Sequence, residues 1–370
     1  MSTWTEEPFD AEYMDRKDRV CEALDEEFEK ARSGAAGTAT RSFDLVDGRY
    51  VIFSDLHRGV RNHADDFAGN ERAYNAALAY YFRMGYTLVV LGDVEELWEE
   101  RPVPVLAAYQ HSLGLEAKFH QEGRYLRVRG NHDDEWQYEA RVRTLLAPLY
   151  GGDPLQVYSS ALIEVMDDTG QLGVLFLVHG HQGTTTSDRW PAFSKFAVRY
   201  LWRPFQRLTR LSLNTPAESW QLRQGHNRAL YDWTAQQDEQ LRLVLIAGHT
   251  HRPVFESETH VQQLQHELAA LDMLDAPTTE QRGERAERAA EIEWVLAQNM
   301  QTPGQEIGVD SVVKPCYFNT GCCAFLDGDV TGLELAEGQI RLVRWPDEEG
   351  DPKPHCLAEC SLKGDVFAAR

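Results

Sequence analysis

The chain has 370 residues, 42% of them hydrophobic, and a formal net charge of −22 at pH 7. No apolar run approaches the roughly 18 residues that a membrane-spanning helix needs. The negative charge argues against a nucleic-acid-binding protein, because phosphate backbones are bound by clustered Lys and Arg.

Residues 1–42 are predicted to form an N-terminal helical extension. Within it, Val20, Leu24 and Phe28 recur at helical spacing and form one apolar face. The acidic start of the chain lacks the apolar stretch of a signal peptide, and the six cysteines follow no disulfide spacing. These features favour a cytoplasmic location.

The main domain is predicted to span residues 43–346, where apolar strands alternate with helices in an α/β pattern. The predicted helices are 71–84, 102–122 and 135–149. The segments 330–335 and 339–345 are predicted closing strands, and Asn319 is expected in a turn close to the site. Residues 347–370, rich in proline and charge, are expected to form a loose C-terminal tail.

Five polar motifs each follow a predicted strand. They are Asp55-x-His57, Gly92-Asp93-x-x-Glu96, Gly130-Asn131-His132-Asp133, His179-Gly180-His181 and Gly248-His249-x-His251. Alone, each has an ordinary explanation as a turn or a solvated loop. In open α/β architectures, however, sites form in loops beyond the carboxyl ends of strands. Carboxylate, imidazole and amide groups in five such loops indicate two divalent metal ions that share one carboxylate.

The motif series resembles the signature of the calcineurin-like metallophosphoesterases. The resemblance implies an α/β fold, a two-sheet sandwich flanked by helices. It also implies a dinuclear-metal-dependent phosphoesterase that hydrolyses a small anionic phosphorylated substrate by in-line attack of a metal-bridging hydroxide. One metal would be held by Asp55, His57, Asp93 and His251, and the other by Asp93, Asn131, His179 and His249. Mn²⁺ is the leading candidate, with Fe or Zn as alternatives, because the ligands mix oxygen and imidazole.

Two further residues carry catalytic expectations. His132 resembles the family's catalytic histidine, which is not a metal ligand, and a histidine can protonate a leaving oxygen near neutral pH. Glu96 lies where the family often has an acid that orients this histidine. Alternatively, Glu96 is a solvated acid at a helix start, favoured there by the helix dipole.

Arginines are the candidates for substrate binding, because the guanidinium fork matches phosphate. Arg58 and Arg252 each follow a predicted metal ligand. Residues 188–237 form a predicted helical cap insertion, in which Arg199, Arg203 and Arg207 would share one stripe of a helix.

The basic, aromatic-rich segment 189–212 of this cap leaves three interpretations open. It could bind an anionic or amphiphilic substrate, or make peripheral contact with a membrane surface. In the third, it is a packed insertion whose arginines pair with the acidic body. A second insertion, 256–302, is predicted to be an acidic helical hairpin that serves packing or homo-oligomer formation.

Several other functions are alternatives to a simple phosphoesterase. The chain also resembles UDP-2,3-diacylglucosamine hydrolase, a pyrophosphatase, in its helical insertion and in the aromatic Trp98 after the second motif. At the position of His132, however, that enzyme typically carries an arginine. A nuclease fits the motifs but not the acidic charge. The motifs of Ser/Thr protein phosphatases are missing, and a non-enzymatic binding module would be expected to have lost ligands.

Overall fold

The computed structural model describes residues 11–151, 154–184, 216–255, 258–259, 315–325, 328–348, 350 and 352–368. The basic segment 189–212 lies outside these residues. So does the predicted acidic hairpin, apart from residues 258–259.

Seven α-helices lie within the described residues. They are α1 (Ala11–Arg32), α2 (Glu71–Arg83), α3 (Pro102–Ala108), α4 (Gln110–Gln121), α5 (Glu139–Arg141), α6 (Ala147–Tyr150) and α7 (Pro216–Ala235). Short 3₁₀ turns at Asp134–Gln137 and Glu239–Leu241 and π turns at Val142–Leu146 and Leu362–Val366 complete the helical segments.

In the described ranges, thirteen strands form two sheets. They are β1 (Thr38–Asp44), β2 (Arg49–Phe53), β3 (Thr87–Leu91), β4 (Tyr125–Val128), β5 (Ser160–Asp167), β6 (Gly170–Val178), β7 (Leu243–Ala247), β8 (Pro253–Phe255), β9 (Glu258–Thr259), β10 (Tyr317–Thr320), β11 (Val330–Ala336), β12 (Gln339–Trp345) and β13 (His355–Ser361). One sheet has the order β13-β12-β11-β2-β3-β4, and the other β1-β5-β6-β7-β10-β8-β9. Strands β2, β3 and β4 run parallel, as do β6, β7 and β10.

Alternation along the strands builds the layers. In β2, Val51 and Phe53 pack with the helices on the outer face, whereas Ile52 between them packs against the other sheet. Neighbouring side chains of a strand point to opposite faces, and here both faces are covered. The inter-sheet core also contains Val89, Leu91, Ile163, Leu177 and Ile246. The predicted two-sheet sandwich flanked by helices is confirmed.

Helices α1 and α7 cover the outer face of the seven-stranded sheet. Val20, Leu24 and Phe28, which the sequence places on one helical face, are buried there. The Phe28 ring packs edge-on against Phe176 of β6 and Trp233 of α7, with ring centroids 5.1 and 5.8 Å apart. The N-terminal helix is therefore part of the layered core.

The expectation of a loose C-terminal tail is wrong. Residues His355–Ser361 form β13, which pairs antiparallel with β12. Beyond it, Leu362 and Phe367 are buried in the core between the sheets. β13 pairs with the strand just before it, whereas the Phe367 carbonyl accepts from Arg242, a partner distant in sequence that local composition does not reveal.

The predicted helix 102–122 is divided into α3 and α4 at Tyr109, whose φ of −119° is not helical. The Tyr109 ring is fully buried, and its hydroxyl hydrogen-bonds Asp65 at 2.7 Å. The predicted helix is thus interrupted at the residue whose aromatic ring is buried.

Within the part of the chain that the structure describes, no helix has the length and apolar character to cross a bilayer.

Candidate metal centre

The five polar motifs lie in loops at the carboxyl ends of β2, β3, β4, β6 and β7. The first three strands belong to one sheet and the last two to the other. Loops from both sheets therefore meet at one edge of the sandwich, where the side chains form compact clusters.

The first cluster joins Asp55, His57 and His251, whose ligand atoms all lie within 4.8 Å of one another. His251 Nε2 is 3.2 Å from Asp55 Oδ1 and 3.1 Å from His57 Nε2. Two imidazole lone pairs this close repel each other unless a cation or a proton lies between them. The cluster therefore has the geometry of a metal site.

The second cluster joins Asp93, His179 and His249. His179 Nδ1 lies 2.9 Å from the Leu91 carbonyl oxygen, so it carries the proton and leaves the Nε2 lone pair free for a metal. That Nε2 is 3.0 Å from Asp93 Oδ2. Asn131 Oδ1 is buried and accepts no hydrogen bond from the described residues, which suits a metal ligand.

Asp93 connects the two clusters. Its Oδ2 lies 3.0 Å from His179 Nε2 and 3.8 Å from His57 Nε2. Its Oδ1 accepts the backbone N–H of His132 at 2.8 Å, which fixes the carboxylate plane. One carboxylate oxygen facing ligands of both clusters is the arrangement that a bridging ligand requires.

Backbone conformation marks the same residues. Eight non-glycine residues of the described chain have positive φ, and five of them are predicted ligands: Asp55, His57, Asp93, His249 and His251. A non-glycine residue with positive φ costs about 1–3 kcal/mol, and it keeps this conformation only where the surrounding structure enforces it. The loops are therefore held in ligand-presenting conformations by the fold.

Neighbouring histidines keep the buried carboxylates of the two clusters ionised. Burial alone would raise the pKa of Asp55, but His251 and His179 beside it hold that pKa below its usual range. Burial would likewise raise the pKa of Asp93, but His179 and His132 hold that pKa below its usual range. Both carboxylates are thus anionic at neutral pH. Burial and nearby His179 lower the pKa of His249, which keeps its imidazole neutral as metal binding requires.

Glu96 links His132 to the first cluster. One oxygen of its carboxylate, Oε2, lies 2.7 Å from His132 Nδ1 and 3.1 Å from His57 Nδ1. Burial opposes ionisation of Glu96, but the two imidazoles, His132 first, lower its pKa to about 2. The same carboxylate and Asp93 outweigh burial and raise the pKa of His132. Glu96 is therefore a buried hydrogen-bond acceptor for two histidines, not a solvated acid.

A family model described as "Calcineurin-like phosphoesterase" matches residues 48–253, more than half of the chain. The chain belongs to the calcineurin-like phosphoesterase family. No curated protein matches it. The protein is thus a metal-dependent phosphoric ester hydrolase that acts on a phosphorylated substrate. The ligand atoms that this phosphoesterase brings together fit a dinuclear site for divalent metal ions.

Two residues of the phosphoesterase outside the five motifs contact the loop of His249 and His251. Cys322 is buried, with Sγ 3.4 Å from His251 Nδ1. Asn319 donates from its amide to the Gly248 carbonyl at 2.6 Å. It thereby holds the loop that presents His249 and His251. Neither contact has a local signal, because both partners are distant in sequence.

The structure does not support a substrate-binding role for Arg58. Its side chain is fully buried, ion-paired to Glu116 and 3.7 Å from Glu95, and its guanidinium lies over the rings of Phe67 and Tyr74. A guanidinium enclosed in this way cannot reach a substrate in the cleft. Of the other predicted arginines, Arg252 is largely buried beside His251. Arg199, Arg203 and Arg207 lie outside the described residues.

Arg58 instead joins a buried charge cluster behind the metal loops. Arg127 pairs with Glu95, between Asp93 and Glu96 in sequence, and its Nη2 lies 3.5 Å from Asp133 Oδ2. Asp133 in turn accepts the N–H groups of Gly130 at 2.6 Å and of Val94 at 3.2 Å. We call Arg58, Arg127, Glu95, Glu116 and Asp133 the buried charge cluster. It ties the first three metal loops together from behind.

Gly130 leaves no room for a side chain. A Cβ built on it would collide with Asp93 Oδ1 and with the ring of His179. Its φ is not in the left-handed region, so the effect of a substitution is steric. We expect Gly130→Ala to displace Asp93 and to lower both metal content and activity, measured by elemental analysis and by hydrolysis of an aryl phosphate.

The matched control for this prediction is Gly114→Ala in α4, where an added Cβ meets nothing within 4 Å. Alanine is favoured over glycine by roughly 0.5–1 kcal/mol inside a helix, so this variant should be at least as stable as the parent and fully active. Full metal occupancy in Gly130→Ala would show that Asp93 is not held against this glycine.

Proposed function

We propose that the protein hydrolyses phosphomonoesters or phosphodiesters, with His132 as the proton donor to the leaving oxygen. The observation that carries the proposal is the His132–Glu96–His57 array, which places a protonatable imidazole against the first ligand cluster. Because Glu96 engages Nδ1 of His132, Nε2 is the nitrogen left to face the substrate.

The residues present fit the predicted pair of metal ions. One ion would be held by Asp55, His57, Asp93 and His251, and the other by Asp93, Asn131, His179 and His249. Two bound cations would acidify a shared water for in-line attack and neutralise charge on the phosphoryl oxygens. Mixed oxygen and imidazole ligands suit Mn²⁺ best, with Fe or Zn as alternatives.

The chain's own groups would complete the reaction. As the bond between phosphorus and the leaving oxygen breaks, His132 would pass the Nε2 proton to that oxygen. The Glu96 carboxylate would keep Nδ1 protonated and the ring in place. Ionised carboxylates of Asp55 and Asp93 would hold the cations, while neutral imidazoles and the Asn131 amide keep the site attractive to an anion.

The alternative substrate class is a pyrophosphate, as in UDP-2,3-diacylglucosamine hydrolase. His132 favours the simple esters over this class, since that enzyme carries arginine at the corresponding position. A nuclease is disfavoured by the net charge of −22.

The test is a substrate panel on protein depleted of metal and reloaded with Mn²⁺, Fe²⁺ or Zn²⁺. The proposal expects turnover of p-nitrophenyl phosphate or bis-p-nitrophenyl phosphate at rates far above that of a nucleotide diphosphate sugar. Preferential cleavage of the pyrophosphate would select the alternative, and cleavage of DNA alone would select the nuclease.

We also retain as proposals the substrate cap of residues 188–237, membrane contact through residues 189–212 and homo-oligomer contact through residues 256–302. The six cysteines are free thiols, which supports the proposed cytoplasmic location, because disulfides are rare in reducing compartments.

His132→Ala is expected to keep both metals and to lower kcat by about 10²–10⁴, the usual contribution of a general acid. The loss should be smallest for nitrophenyl esters, whose leaving groups need no proton, and largest for alkyl esters. His111→Ala, an exposed histidine of α4, is the matched control and should be unaffected. Equal losses on both ester types would remove His132 from the role of leaving-group acid.

A further inference from the structure

Trp98 lies against the proposed proton donor. Its indole stacks on the His132 imidazole with ring centroids 4.6 Å apart and planes 16° from parallel. Its Nε1–H donates to the backbone carbonyl of Asn131, a predicted metal ligand. The indole is therefore fixed at one end to a metal loop and presents a flat face to His132.

A second aromatic ring also contacts His132. The His57 ring meets it edge-on, with centroids 4.7 Å apart and planes at 85°. The single hydrogen bond from Nδ1 to Glu96 would by itself let the imidazole pivot about that bond. The stacked indole and the His57 ring restrict this rotation. With Nδ1 engaged, the ring has one direction left for Nε2.

We propose that Trp98 is a positioning residue that holds the His132 ring so that Nε2 points at the leaving oxygen. The proposal rests on the proposed function of His132 and extends it to a neighbouring side chain. Trp98 is not a catalytic residue, since its own N–H is committed to the Asn131 carbonyl. Its effect should appear only in steps that need the His132 proton.

The size of the effect follows from geometry. A small misplacement of a reacting group can cost up to about 10²-fold in rate. Trp98→Leu removes the flat face and the N–H donor, and should lower kcat for alkyl phosphates by about 10-fold or more. Turnover of p-nitrophenyl phosphate should fall much less, and KM and metal content should stay near the parent values. Trp98→Phe keeps a flat face and should recover most of the loss.

Tyr138→Leu is the matched control. This aromatic residue lies six positions after His132 and is 59% exposed. It should leave the dependence of kcat on the leaving group unchanged. Each variant is assayed in the full chain with the best metal, over a series of aryl and alkyl phosphates.

A double-variant comparison separates positioning from general packing. If Trp98 acts through His132, Trp98→Leu should add little to the loss caused by His132→Ala, because the two changes remove one function. Fully additive losses, equal losses on aryl and alkyl esters, or a loss of metal in Trp98→Leu would each overturn the proposal.

Failure of the proposed function gives a different result. If His132→Ala itself shows no dependence on the leaving group, His132 is not the acid, whatever Trp98 does. If His132→Ala shows the dependence and Trp98→Leu does not, only the positioning role of Trp98 is refuted.

Discussion

Asp93→Asn is expected to lower kcat by about 10³-fold or more and to reduce the bound metal to one equivalent or less. The reason is that Asp93 Oδ2 faces ligands of both clusters, so the change weakens two metal sites at once. About 1.4 kcal/mol of activation free energy changes a rate tenfold. Losing several kcal/mol of electrostatic stabilisation therefore lowers kcat by about this factor. Elemental analysis after gel filtration and steady-state kinetics measure the two effects.

Asp47→Asn, a substitution of the same kind at an exposed loop residue, should change neither quantity. If Asp93→Asn keeps two equivalents of metal and parental kcat, Asp93 is not the bridging ligand. If metal falls while activity remains, the hydrolysis does not use this centre.

Arg127→Met is expected to lower the free energy of unfolding by about 3–5 kcal/mol, the usual cost of leaving a buried charge without its partner. Arg127 is fully buried, and both Glu95 and Asp133 lose a cation when it is replaced. Methionine fills much of the same space, so the effect reports the lost charge together with its hydrogen bonds to Glu95 and Tyr150. Denaturant titration of the metal-free protein measures it without interference from metal binding.

Arg72→Met is the control, because Arg72 forms an exposed ion pair with Asp347 at 2.6 Å. Exposed pairs contribute about 0–1 kcal/mol. Equal destabilisation by the two variants would mean that the buried charge cluster adds no more than a surface pair does.

The sequence predicted the metal loops because two simple signals coincide there. Short continuous apolar runs predicted β2, β3, β4, β6 and β7, and the polar motifs directly after them carried the family resemblance that implied the ligands. Neither signal depends on contacts distant in sequence. Asp55, Asp93 and His179 could therefore be named before the fold was known.

The direction of the Arg58 side chain could not be predicted in this way. Its place beside His57 suggested that both side chains face the cleft, but His57 lies in an irregular loop with a φ of 51°, where adjacency in sequence does not fix the direction of the next side chain. His57 meets the ligand cluster, while Arg58 enters the core towards Glu116, a residue of α4 that no local pattern connects to it. The Trp98–His132 stack and the positive φ values of the ligands are likewise set by the whole fold.

The arrangement of β10 and β11 bears on how the protein is made. β10 lies between β7 and β8, and β11 pairs with β2, so segments beyond residue 315 complete both sheets. All seven predicted ligands precede this point, yet Asn319 holds the loop of His249 and His251. A chain emerging from the ribosome thus carries every ligand long before the sheets can close. Such late, long-range pairing is intrinsically slow and leaves strand edges exposed meanwhile. We therefore expect the metal centre to mature only after the chain has been synthesised beyond β11.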